Sequence, residues 1–209
     1  LPWRRIRDIE SVEIDWIGTS MGGLIGMMLA SQSESPIRRL VLNDVGPLVP
    51  WQALLRLKSY VGKRSRFATF EEAEAYVRDV CETFGTLTDS QWRHLATHSV
   101  RRDGDGYYLA YDPAISTSPA GVNEFANLLG AEAMRGIDLW SVWDRIKCPT
   151  LVLRGAESDL LLARTAREMS ERGPKAKVVE FPGVGHAPAL MSDSQIGIIR
   201  NFLEEARHE

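Results

Sequence analysis

The chain has 209 residues, 44% of them hydrophobic and 25% charged, which is long enough for one domain carrying a subdomain. Its formal charge of −3 provides no basic field for nucleic acid and no pull toward an anionic membrane surface. The longest apolar run, Met21–Ala30, is far too short to span a bilayer. Short basic clusters at Trp3–Arg7 and Lys58–Arg66 read as solvated faces. The two cysteines, Cys81 and Cys148, fit neither a zinc spacing nor a disulfide framework, and they point to a reducing, cytoplasmic compartment.

In chain order, Ile14–Ile17 reads as a short buried strand, and Met21–Ser31 as a helix apolar nearly all round, hence buried. Leu40–Asn43 is a second buried strand. Strand, helix and strand at this length form a βαβ unit, which implies parallel pairing. Residues 47–145 then carry helix signals and almost no apolar strand runs. Thr69 with Glu72, and Thr88 with Gln91, have capping-box spacing and open helices near 70–84 and 89–98. Residues 104–113 offer one short aromatic strand or hairpin arm, ended by Pro113. Parallel-sheet patterning resumes with a buried strand at Thr150–Arg154. A helix near 162–172, a strand at Lys177–Phe181 and an amphipathic helix near 192–206 follow. The expected architecture is α/β, with a core formed by residues 1–46 and 146–209 and an inserted, mainly helical cap over 47–145.

Gly18-Thr19-Ser20-Met21-Gly22 fits the pattern G-x-S-x-G. The five-residue pattern is common by chance, and its context carries the weight. Ser20 follows a buried strand and precedes a buried helix, the setting in which a strained turn exposes a serine hydroxyl. Both Gly18 and Gly22 are expected to be required there, because the turn brings backbone too close for a Cβ. Gly23 and Gly26 should let the helix approach the sheet closely. A plain turn with a helix-capping serine is the competing reading.

This stretch resembles the nucleophile elbow of the α/β-hydrolase superfamily, and the resemblance extends over essentially the whole chain. The family order of serine, acid and histidine places the histidine at His186, in the glycine-bearing loop after the last strand. His94 and His98, four apart on a helix, have the spacing of a metal pair but no accompanying acid ligand pattern. His208 lies at the C-terminus. In many relatives the acid stands three residues after the glycine ending the penultimate core strand, a position held here by Ser158. Asp159, one residue later, is the favoured acid; Asp44, after the strand at Leu40–Asn43, and Glu157 are the alternatives. A plain structural reading of Asp44 is that it caps or braces the loop leading to Gly46 and Pro47.

The resemblance then implies roles. Ser20 is the nucleophile, His186 the base and later the acid, and Asp159 the group that holds the imidazole tautomer. The backbone N–H of Met21, at the positive end of its helix, is one oxyanion donor. A serine at position 20 sets the chain apart from branches with an aspartate nucleophile. No cofactor and no metal are implied.

The family's sheet normally has four strands before the nucleophile strand, and they supply the second oxyanion donor. That part of the sheet is expected to lie outside this chain. The edge at Ile14–Ile17 would then be bare of charges, prolines or bulges, and would be covered by a complementing N-terminal segment or a second copy. The cap would roof the pocket, with aromatics such as Trp51, Phe67, Tyr107, Tyr108 and Phe125 packing it or lining it. The reading of choice is a serine hydrolase of a small carboxylic ester or lactone. The alternatives are a carbon–carbon hydrolase of vinylogous diketones and a catalytically silent binding protein on the same fold.

Overall fold

A computed structural model describes residues 12–60, 66–111 and 136–205, with the side chains of 57–60 excepted. Trp3–Arg7, most of Lys58–Arg66, Pro113, Phe125 and His208 lie outside the described residues.

Four parallel strands form the main sheet: β1 (Ile14–Thr19), β2 (Ile37–Asn43), β8 (Thr150–Gly155) and β9 (Lys177–Phe181), in the order β1-β2-β8-β9. Each of the two central strands carries an apolar run, Leu40–Leu42 in β2 and Leu151–Leu153 in β8, and period-two alternation sends these side chains to opposite faces. Leu40, Leu42 and Val152 join Met27 of α1 (Met21–Ala30), Trp143 of α5 (Trp140–Trp143) and Met169 of α6 (Ala163–Glu171) on one face. Val41, Leu151 and Leu153 meet Ile199 and Phe202 of α7 (Asp193–Glu204) on the other. Helices thus cover both faces of the sheet, as an all-parallel sheet requires.

Between β2 and β8, an antiparallel pair of β3 (Leu48–Val49) and β7 (Ile137–Asp138) brackets the intervening segment at its base. Within it lie α2 (Trp51–Tyr60), α3 (Phe70–Val80) and α4 (Asp89–Ser99). The Thr88 cap is a complete capping box. At α3 the Thr69 hydroxyl accepts from Glu72 N–H, but the Glu72 carboxylate reaches one residue further back, to the amide of Ala68. The segment also holds more strand than its sequence indicates. β5 (Val100–Asp103) and β6 (Gly106–Leu109) form a hairpin, and β4 (Arg66–Phe67) adds a third antiparallel strand. Each is only two to four residues long, too short for an alternation signal in sequence.

The expectation that α1 is buried all round is corrected. Gly23, Gly26, Met27 and Ala30 are buried, but Met21, Ile25 and Met28, spaced as one helical stripe, are exposed. The expected bare edge is also corrected in part. A register shift interrupts the pairing between Ile14 and Asp15, and Asp15 places a carboxylate on the edge, ion-paired to Arg38. Irregular pairing and charge both blunt an edge. Among the described residues, what stays open is the later half of β1, where Ile17 is 48% exposed beside the α1 stripe. For the 209-residue chain in isolation, self-association through this half-edge is the expected result. Sedimentation should show species above 23.4 kDa, shifted toward monomer by Ile17→Lys. A monodisperse wild-type monomer would count against it.

Candidate active site

The site assembles because neighbouring parallel strands all end on the same side of the sheet. Ser20 directly follows β1, Asp44 directly follows β2, and the turn at 155–158 follows β8. His186 comes five residues after β9. The register aligns these ends, with Thr19 opposite Asn43, Asn43 opposite Leu153, and Gly155 opposite Phe181. Crevices outside the carboxyl ends of strands are where open α/β sheets place their ligand sites.

Ser20 sits at φ 51°, ψ −119°, in the left-handed half of backbone space that a side chain rarely adopts. The turn is held by Ser20 N–H donating to Asn43 O, and by Gly23 and Leu24 N–H donating to Ser20 O. Only one of the two motif glycines is sterically required. A Cβ on Gly18 would run into the backbone of Gly22 and Gly23, whereas a Cβ on Gly22 would meet no described atom within 4 Å. The second close approach belongs to Gly23, whose Cβ would meet Val45 and the Gly18 carbonyl. Gly22 contributes its carbonyl, which accepts from the Trp16 indole at 3.0 Å. Met21 opens α1, so its N–H is one of the first-turn amides left without an intrahelical acceptor.

His186 Nε2 lies 3.0 Å from Ser20 Oγ, and His186 Nδ1 lies 2.8 Å from Asp44 Oδ2. An ionised carboxylate only accepts, so the proton resides on Nδ1 and Nε2 is left to accept from the serine hydroxyl. The Asp44 side chain is 0% exposed and that of His186 8%. Two further donors satisfy the buried carboxylate: Gly155 N–H to Oδ1 at 2.9 Å, and the Ser158 hydroxyl to Oδ2 at 2.5 Å. Asp44 has φ 54°, and its N–H continues the ladder to Leu153 O. That combination turns its side chain back along the ends of the strands.

The favoured placement of Asp159 against the imidazole is therefore corrected. The turn closed by Ser158 N–H on Gly155 O aims residue 158 inward and leaves residue 159 at the surface. There Asp159 makes a bidentate pair with Arg56 of α2, at 2.7 and 2.8 Å. Glu157 is exposed as well. His94 and His98 pack together on the exposed face of α4 with their rings tilted by 42°. Among the described residues no group of three or more His, Cys, Asp or Glu is placed to hold a metal ion. Both cysteines are free and half-buried, and burial pushes the Cys81 thiol up to about 11. No helix among the described residues is long and apolar enough to cross a membrane.

Three residues that the sequence motifs do not mark hold this geometry. The Asn43 amide donates to Thr19 Oγ1 at 3.0 Å and to Pro188 O at 2.9 Å, joining the serine and histidine loops. Thr83 donates from its hydroxyl to His186 O at 3.0 Å and accepts Gly185 N–H at 2.7 Å. Ser158 braces Asp44. The one sequence signal for this arrangement is a serine, unable to act as the acid, where the resemblance puts a carboxylate.

Comparison with known proteins agrees with this architecture. A 3-hydroxybutyrate-oligomer hydrolase from Cupriavidus necator is 42% identical over 198 residues, covering 93% of this chain and 66% of its own. A solved structure from Rickettsia typhi superposes with a TM-score of 0.83 at 29% identity, over 98% of this chain and 66% of that one. An alpha/beta hydrolase from Novosphingobium aromaticivorans gives a TM-score of 0.77 at 31% identity, over 98% and 72%. The chain thus spans just under two thirds of the length of the first two. The profile of the alpha/beta hydrolase family matches residues 4–195, nearly the entire sequence, and the chain belongs to that family.

Proposed function

We propose that the chain hydrolyses carboxylic esters through an acyl-enzyme, with Ser20 as nucleophile, His186 as general base and acid, and Asp44 as the group that orients and stabilises the imidazolium. The observation that carries this reading is the continuous hydrogen-bonded chain Ser20–His186–Asp44, gathered at the carboxyl ends of β1, β2 and β9 of one parallel sheet. His186 Nε2 takes the hydroxyl proton as Ser20 Oγ attacks the ester carbonyl carbon. The same proton passes to the leaving alkoxide, and a water activated by Nε2 releases the acid. The Met21 N–H stabilises the tetrahedral oxyanion. This assignment needs neither metal nor cofactor.

The favoured substrates are short oligoesters of hydroxy acids. The support is the similarity to the Cupriavidus necator protein, whose name specifies 3-hydroxybutyrate oligomers. Residues 47–145 act as the cap over this site, a role supported by the bonds from Thr83 to the histidine loop and from Gln91 to Met191 O.

A fluorophosphonate probe is expected to label the wild-type chain at one residue, and labelling should vanish in Ser20→Ala. A folded chain that never labels would favour a silent binding protein instead. Among substrates, 3-hydroxybutyrate dimers and trimers should turn over faster than simple aryl esters. Preference for a vinylogous diketone over every ester would move the reading to carbon–carbon hydrolysis.

A further inference from the structure

We propose that Ser158 is a positioning residue that sets the hydrogen-bonding state of Asp44 and, through it, the pH at which His186 works as a base; the proposal rests on the ester-hydrolase reading above. Ser158 is buried at 5% exposure. Its hydroxyl proton has a clear destination, because Oγ accepts from the amides of Leu160 and Leu161, at 3.2 and 3.1 Å. With its lone pairs so engaged, the hydroxyl donates its proton to Asp44 Oδ2 at 2.5 Å. That oxygen is the one facing His186 Nδ1. The side chain therefore relays two backbone donors onto the carboxylate oxygen that meets the imidazole, and every hydrogen-bonding capacity of Ser158 is used in doing so.

The chemical consequence has a definite sign. A donor on Oδ2 withdraws charge from the oxygen that stabilises the imidazolium, and it also favours the ionised over the protonated carboxylate. Removing it makes Oδ2 a stronger acceptor for Nδ1–H, so the protonated imidazole is held to higher pH. It also leaves a buried carboxylate with fewer donors, so that carboxylate is easier to protonate in acid. Both effects move the onset of activity toward higher pH. Among the described residues the neighbouring charges are engaged elsewhere: Arg154 holds Glu180 and the carbonyls of Leu161 and Ala156, Glu157 is exposed, and Asp159 is paired with Arg56 at the surface. The Asp44 carboxylate also meets Gly155 N–H and His186, and His186 in turn meets Ser20.

The test is the pH dependence of kcat and kcat/KM for ester hydrolysis by Ser158→Ala, Ser158→Thr and Ser158→Cys, beside wild type and Ser20→Ala. At pH values on the rising limb, Ser158→Ala should lose about tenfold to a hundredfold in kcat, the range for one hydrogen bond to a charged group. KM should change little, and the rising limb should move to higher pH. Ser158→Thr, which keeps the hydroxyl, should restore the limb, and Ser158→Cys, a weaker donor, should fall between. If Ser158→Ala does not fold, the ordering of wild type, Thr and Cys carries the same test. A rate loss with an unmoved limb would make Ser158 a purely structural turn residue and overturn the proposal, as would unchanged kinetics. Wild-type hydrolysis that survives Ser20→Ala would instead refute the underlying reading.

Discussion

Asp44→Asn is expected to lower ester turnover roughly ten-thousandfold, while Asp159→Asn leaves it close to wild type. The asymmetry follows from where the two carboxylates lie. Asp44 is fully buried and accepts the Nδ1 proton of His186. An asparagine amide there can present its own N–H to Nδ1, which forces the imidazole proton onto Nε2 and leaves nothing to accept from Ser20. Asp159 faces solvent and holds only Arg56. An exposed pair of this kind contributes about 1 kcal/mol at most, so its loss should barely register in a melt. Ser20→Ala and His186→Ala should each cost about a millionfold, with little further loss when combined, because the three groups act as a unit. Steady-state kinetics on purified variants decides the matter. Loss of turnover in Asp159→Asn with retention in Asp44→Asn would reverse the assignment.

The two glycines of the serine motif are expected to respond to alanine with opposite signs. Gly18→Ala places a Cβ 2.5 Å from the Gly22 carbonyl carbon and the Gly23 nitrogen, against backbone that cannot rotate away. The elbow must open to admit it, at a cost of more than about 3 kcal/mol, and Ser20 would then lose its alignment with His186. Gly22→Ala meets no described atom within 4 Å and replaces a poor helix former inside α1, so a gain of up to about 1 kcal/mol is expected. Denaturant midpoints of the two variants against wild type provide the check. Equal destabilisation by both would mean that the elbow is tighter around Gly22 than its surroundings indicate.

These glycines also mark how far sequence reasoning reaches. The repeated pattern G-x-S-x-G makes positions 18 and 22 equivalent on paper. In the fold, the strained turn at Ser20 brings Gly18 onto the first turn of α1, and Gly23, outside the motif, takes the second close approach. The acid shows the same limit. Asp44 and Asp159 both follow apolar strands and both precede loops, so local pattern cannot rank them. The ranking comes from strand order and backbone direction. β2 lies between β1 and β8, and the positive φ at Asp44 turns its carboxylate toward the histidine loop. The turn after β8 instead aims Ser158 inward and Asp159 out.

The sequence by itself determined what depends on near neighbours in the chain. The apolar runs of β2 and β8 specify buried parallel strands, and the Thr88 box specifies where α4 begins. The strand-to-helix change around Ser20 identifies the elbow. Each of these signals is written within about ten residues, because period, capping and turn geometry are short-range properties. Only the tertiary structure decided which carboxylate meets His186, that Ser158 and Asn43 hold the cluster together, and that Thr83 grips the histidine loop from about a hundred residues away. It also decided which face of α1 is exposed. Those are contacts between segments distant in sequence, fixed by sheet order and register, and a buried carboxylate is stable only where several such segments deliver their donors to one point.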